Sequence, residues 1–299
     1  MTQYKLTIFI FFLTSTLFLN GQTMPKNDNL KNKISNLTNA QEGDFAVSFY
    51  DLNTKTTFGI HDKNEFHAAS TMKTPVMIEV FKQIKEGNLK LEDSILIKNE
   101  FRSIVDKSPY KMDIGSDSDD VIYKKIGIKM SVYDLVYQMI TVSSNLATNI
   151  LIDIVDPKKV TQSMRDLGAM DIQVRRGVED TKAFDLGLNN TTTAHDLMLI
   201  FKALANKEIG DLDYDKMIGI LADQKFNEII PAKLPKNLKI AHKTGSITGV
   251  QHDSGIVFLP DGRSYVLILL SKNLKDVEKG VDILSEITKM IYTEFYTKN

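Results

Sequence analysis

Ser70-Thr71-Met72-Lys73-Thr74-Pro75-Val76-Met77-Ile78-Glu79-Val80-Phe81-Lys82-Gln83-Ile84 is the stretch whose reading decides the fold. Val76, Met77, Val80, Phe81 and Ile84 recur three and four residues apart, so one face of a helix is apolar, and Gly87 supplies its stop. At the head of that helix, a serine and a lysine one turn apart project from the same face, within reach of one hydrogen bond. A hydroxyl is a weak nucleophile until a base takes its proton. Lysine can be that base when burial or a neighbouring charge lowers its pKa. A helix start behind the serine also offers backbone amides to a developing oxyanion. The pair alone is weak evidence. Ser108-Pro109-Tyr110-Lys111 has the same spacing in a segment without apolar periodicity, and reads as a loop.

Working outward, Leu30, Ile34 and Leu37 keep helical spacing up to a cap at Gly43, and residues 45–52 and 56–60 alternate around Asn53 as a hairpin. Residues 88–130 show no dominant period, and the acidic run 115–120 reads as a solvated turn rather than a calcium loop. Helices are predicted over 131–140, where Ser131 and Asp134 have capping-box spacing, and over 146–155 and 158–167. Two more are predicted over 193–207 and 213–222. Strands follow at 238–244, 255–259 and 264–270, with Asp261-Gly262 as a hairpin turn, before a last helix from Val277. Strands at both ends with helices between imply an α/β (α+β) fold. Its antiparallel sheet is built from the two chain ends, with flanking helices, an inserted helical subdomain over about 71–230, and a cleft between the layers.

Two further motifs strengthen the first. Ser143-Ser144-Asn145 sits at a break between helices, and Lys243-Thr244-Gly245 lies in a strand. Their order and wide separation resemble the triple signature of the class A β-lactamases and penicillin-recognising serine hydrolases, and the resemblance extends over most of residues 30–298. The middle motif departs from the family's Ser-Asp-Asn by carrying Ser144. Ser271-Lys272-Asn273 also fits Ser-x-Asn, but at a strand end without a family counterpart. The resemblance implies that Ser70 is acylated, that Lys73 manages its proton, and that Ser143 passes a proton to the leaving nitrogen. It implies further that Asn145 bonds the substrate's side-chain amide, and that Lys243 orients Ser143 and attracts the substrate carboxylate. Thr244 would bond that carboxylate, and Gly245 and Ser246 complete the substrate-binding strand, the N–H groups of Ser70 and Ser246 forming an oxyanion hole. The substrate so implied is a β-lactam, with a D,D-peptidase or esterase acting on cell-wall peptides, or a covalent β-lactam sensor, as the alternatives.

The general base for deacylation is read from 175–190. Glu179 lies three residues after Arg176 and at full-loop distance from Thr191-Thr192, whereas Asp185 has the internal Leu-x-Leu-Asn spacing but is an aspartate. Glu179 is the better candidate, with an arginine-paired bracing carboxylate as its alternative reading. The five histidines, His61, His67, His195, His242 and His252, show no metal-ligand spacing, and no Gly-x-Ser-x-Gly elbow exists, so neither a metal nor an organic cofactor is expected.

Composition agrees with one ordinary globular unit: 299 residues, 42% hydrophobic, 25% charged, with no cysteine. A net charge of −1 without a basic face excludes a nucleic-acid binder. Lys5 followed by an apolar run to Leu19 and then Asn20-Gly21 reads as a signal peptide over 1–21, too short to span a bilayer. The mature domain, 22–299, is therefore expected to be secreted or periplasmic, without a membrane anchor, and monomeric.

Overall fold

A computed structural model describes residues 26–297. The expected signal peptide lies outside the described residues. The centre is a five-stranded antiparallel sheet ordered β2-β1-β11-β10-β9. Its strands are β1 (Asp44–Asp51), β2 (Thr57–Ile60), β9 (Lys239–Ile247), β10 (Val250–Phe258) and β11 (Ser264–Lys272). Both chain ends meet in it: β1 pairs with β11, Asp44 facing Lys272 and Asp51 facing Tyr265.

β11 is buried along almost its whole length because both sides of the sheet are covered. Alternate residues serve two cores. Leu267 and Leu269, with Val47 and Phe49 of β1, pack against α1 (Lys26–Asn39) and α9 (Val277–Tyr296) through Ile34, Leu284, Ile287 and Ile291. Val266, Ile268 and Leu270 face the helical body of α2 (Lys73–Lys85), α3 (Val132–Thr141), α4 (Asn145–Val155), α5 (Pro157–Asp166), α7 (Ala194–Asn206) and α8 (Tyr214–Ala222). A short helix, α6 (Thr181–Asp185), and three two-stranded ribbons lie outside the main sheet. These are β3 (Phe66–His67) with β8 (Thr191–Thr192), β4 (Ser94–Leu96) with β7 (Lys129–Ser131), and β5 (Phe101–Arg102) with β6 (Pro109–Tyr110).

Two expectations change. β10 begins at Val250 rather than 255, because its first half carries the buried polar residues His252, Asp253 and Ser254, which hide the strand pattern. The acidic run 115–120 is not simply solvated: Asp119 is buried and Asp117 half-buried, both turned toward the start of α4. Ser108-Pro109-Tyr110-Lys111 lies on a partly exposed ribbon, its serine tied to Asp106 and Lys182.

Candidate active site

The edge strand β9, the start of α2, the α3–α4 junction and the 175–190 loop enclose a cleft of about 1040 Å³. Ser70, Ser143, Asn145, Glu179, Thr244, Gly245 and Ser246 all line it. Lys73 and Lys243 are fully buried behind that wall.

Ser70 sits in a tight turn, Ala69–Met72, that runs into α2. Ala69 is held at φ +44°, in the left-handed region that a side chain disfavours. A hydrogen bond from its N–H to His67 Nδ1 at 3.0 Å helps hold it there. Strain of this kind also marks Ser143 (φ +58°) and Glu179 (φ +60°), two further cleft residues. Opposite Ser70 runs Gly245, where a Cβ would come within 3.1 Å of the Ser70 nitrogen. A side chain there would press on the Ser70 backbone, so glycine suits the close approach of β9. The approach brings the Ser246 backbone, on the outer edge of the sheet, and the Ser70 N–H, in a first turn that has no intrahelical acceptor for it, to the same cleft.

The three hydrogen bonds of Lys73 Nζ go to the middle motif and none to Ser70 Oγ. They reach Ser143 O at 2.6 Å, Ser143 Oγ at 3.2 Å and Asn145 Oδ1 at 2.9 Å. Burial lowers the Lys73 amine to about 7, against the opposing pull of Asp117 and Glu179. Lys243 Nζ donates to the same Ser143 Oγ at 3.1 Å and to Thr244 O at 2.9 Å. Burial, and then the nearby Lys73, hold the Lys243 amine well below its ordinary range. Ser143 Oγ thus accepts from two amines, which leaves its own proton to point elsewhere.

Glu179 belongs to the 175–190 loop, which α4 grips one turn beyond Asn145. Asn149 Oδ1 accepts the Val178 N–H at 2.7 Å, and its Nδ2 donates to Val178 O at 3.0 Å. Gly177 is needed here, since a Cβ would lie 2.4 Å from Asn149 Oδ1. Arg176 spends its guanidinium on Gly177 O, Leu188 O and Asn189 Oδ1 rather than on Glu179. The bracing carboxylate of the loop is Asp180, which accepts from Ser103 Oγ and the Ile104 N–H, both at 2.8 Å. Glu179 Oε2 accepts the Asp113 N–H at 3.0 Å, while Oε1 is buried without a hydrogen bond among the described residues. Burial, then the charge of Asp117, raises its carboxyl above the ordinary value, against the Asp113 N–H and the Asn145 amide. Asp185 is exposed at the end of α6 and does not line the cleft.

The histidines divide. His242 is buried on β9 with Nδ1 2.9 Å from Asp253 Oδ1, as a packing residue behind the cleft. His67 and His252 line the cleft and were not singled out by the sequence. Neither was Asp117, because the helix start it serves lies far downstream and nothing local marks the contact. Asn149 lies four residues after Asn145, a spacing that marks the same helix face. Among the described residues no group of three His, Cys, Asp or Glu is arranged to hold a metal.

Comparison with known proteins agrees with this geometry. The model of the beta-lactamase enzyme family matches residues 29–295. Beta-lactamase VEB-1 of Pseudomonas aeruginosa is 24% identical over 98% of this chain and 98% of its own. Beta-lactamase 1 of Bacillus cereus is 23% identical over 91% of this chain and 85% of its own. Among solved structures, PBP-A superposes with a TM-score of 0.78 at 26% identity, covering 90% of this chain and 97% of that one. A PBP-A mutant described as an acyl-enzyme complex with penicillin G gives 0.77 at 26%, covering 91% and 97%.

Proposed function

The chain belongs to the beta-lactamase enzyme family, and we propose that it hydrolyses the β-lactam amide through an acyl-enzyme on Ser70. The observation that carries this reading is the convergence of Ser70, the two buried lysines and Ser143 on one cleft. A Lys73 amine near 7 is partly neutral at physiological pH, and it can take the Ser70 proton directly or through Ser143. The Ser70 oxygen then attacks the lactam carbonyl, whose developing oxyanion falls between the N–H groups of Ser70 and Ser246. Ser143, its oxygen already accepting from Lys73 and Lys243, donates its proton to the departing nitrogen. Lys243 acts from behind the wall, through Ser143 and the Thr244 carbonyl. Thr244 and Asn145 are the wall groups offered to the substrate's carboxylate and side-chain amide. In the second half, Glu179, the loop carboxylate that lines the cleft, is the group suited to hold and deprotonate the attacking water.

The likeness to PBP-A, whose mutant is described as a penicillin acyl-enzyme, keeps a second reading open: covalent capture of penicillin with little turnover. One experiment addresses both. Ser70→Ala should abolish a single penicillin adduct seen by mass spectrometry on the Ser70 peptide. The parent should turn over nitrocefin steadily, whereas a sensor would stop after one equivalent. An adduct that survives in Ser70→Ala would remove the nucleophile assignment. Export of the domain, expected from residues 1–21, belongs to the same proposal.

A further inference from the structure

The middle motif lacks its family carboxylate at Ser144, and the geometry points to Asp117 as a positioning residue that holds Ser143, Asn145 and Lys73 in place for acyl transfer. The inference rests on the reading of Ser70 as the acylated residue. Asp117 comes from the 115–120 loop, far from the motif in sequence. Its Oδ1 accepts the Asn145 N–H at 2.9 Å, and its Oδ2 accepts the Leu146 N–H at 2.9 Å and the Tyr123 hydroxyl at 3.1 Å. The two amides are the first of α4, where a helix leaves N–H groups unsatisfied and favours negative charge. Ser144, the residue that replaces the acid, still makes the ordinary side-chain cap, accepting the Ala147 N–H at 3.3 Å. The carboxylate is therefore supplied from outside the motif.

The same loop also grips the other side of Ser143. Ser118 Oγ donates to Val142 O at 2.6 Å, so Val142, just before Ser143, and Asn145, two residues after it, are both tied to 117–118. Ser143 is held between these ties at φ +58°, a conformation that persists only where its surroundings over-determine it. That conformation is what sends both Ser143 O and Ser143 Oγ to the Lys73 amine.

Asp117 also acts on Lys73 through charge. The groups facing Lys73 are Asp117 and Glu179, which favour its protonated form, and Lys243, which shares Ser143 Oγ with it. Those facing Asp117 are Lys73 itself, Tyr123, the buried Asp119 and Glu179. Removing the Asp117 charge leaves Glu179 as the remaining nearby counter-charge of Lys73, so the amine loses its proton at lower pH. A plain helix cap would affect only stability.

The test is the rate of Ser70 acylation by a fluorescent penicillin, followed by stopped flow from pH 5 to 9, with thermal melting alongside. Asp117→Asn keeps an acceptor for the α4 amides and removes the charge. It should melt close to the parent while the acid limb of acylation moves down by about one pH unit, the size of a partly screened charge nearby. Asp117→Ala also releases Ser143, and should lower the maximal acylation rate about 10-fold to 100-fold in the range of a misplaced proton donor. If Asp117→Asn keeps the parent's pH profile, or Asp117→Ala loses only melting temperature, the proposal is overturned. Should Asp117→Ala fail to fold, the Asn profile alone decides. Labelling that persists in Ser70→Ala would instead remove the acyl-enzyme reading, whatever Asp117 does.

Discussion

Glu179 and Asp185 are the residues whose surroundings separate them most. Both are carboxylates of one loop, and one-dimensional spacing gave each an alignment. Glu179 lines the cleft, half-buried, while Asp185 faces solvent. Glu179→Gln keeps the shape and removes the base, so acyl-enzyme should accumulate after a normal burst, with deacylation slower by about 100-fold to 10,000-fold. Asp185→Asn should turn over like the parent. Because burial raises the Glu179 carboxyl, deacylation should fall with decreasing pH at a point above the ordinary carboxylate range. The sign follows from the role: a general base works only when ionised. Rapid-quench measurement of acyl-enzyme against pH checks both statements, and a stalled Asp185→Asn beside a normal Glu179→Gln would show that the wrong carboxylate was chosen.

α4 is the element that joins the two halves of the reaction. Asn145 at its first position touches Lys73, and Asn149 one turn later holds the loop of Glu179. Asn149 is buried, so Asn149→Ala leaves the Val178 N–H without its partner and the Val178 C=O with the Tyr110 hydroxyl alone, at a cost of about 1–3 kcal/mol. Deacylation should suffer more than acylation, since Glu179 rides on that loop while Ser70 does not. Denaturant melts and single-turnover kinetics measure the two effects, and an equal loss in both steps would contradict the division. α4 was legible because Leu146, Ile150 and Leu151 keep helical spacing. β10 was legible only in its second half. Its first half spends buried positions on His252, Asp253 and Ser254, which serve backbone and cleft contacts rather than the apolar pattern from which a strand is read. Sequence periodicity fails here because polar side chains that satisfy buried backbone groups have taken the core positions.

At the scale of the whole molecule, the sheet brings buried ionisable groups from opposite ends of the chain together, and stability becomes pH-dependent. His252 on β10 is fully buried, with Nε2 2.9 Å from His67 O on β3, and burial lowers its ring to about 4. The unfolded chain therefore takes this proton first. Stability from this group is complete above about pH 6.5 and falls as the pH drops from there to about 4. At about 1.4 kcal/mol per unit the loss is on the order of 3 kcal/mol. His252→Gln should flatten the stability curve in that window by about one proton relative to the parent, as read from urea melts at pH 7.5, 6, 5 and 4.5. Parallel curves would show that His252 does not titrate on unfolding.

By itself the sequence determined the helix behind Ser70, the strands at both ends with helices between, and the three short motifs whose order identifies the family. Each of these is written in local spacing, as apolar period, cap and turn residue. Only the tertiary structure decided which carboxylate enters the cleft, that Lys73 bonds Ser143 and Asn145 rather than Ser70, and that the acidic 115–120 loop returns to the start of α4. These contacts join residues that are tens of positions apart along the chain. Their partners are chosen by burial, since an amide or carboxylate removed from water must find whatever complementary group the packed fold brings to it.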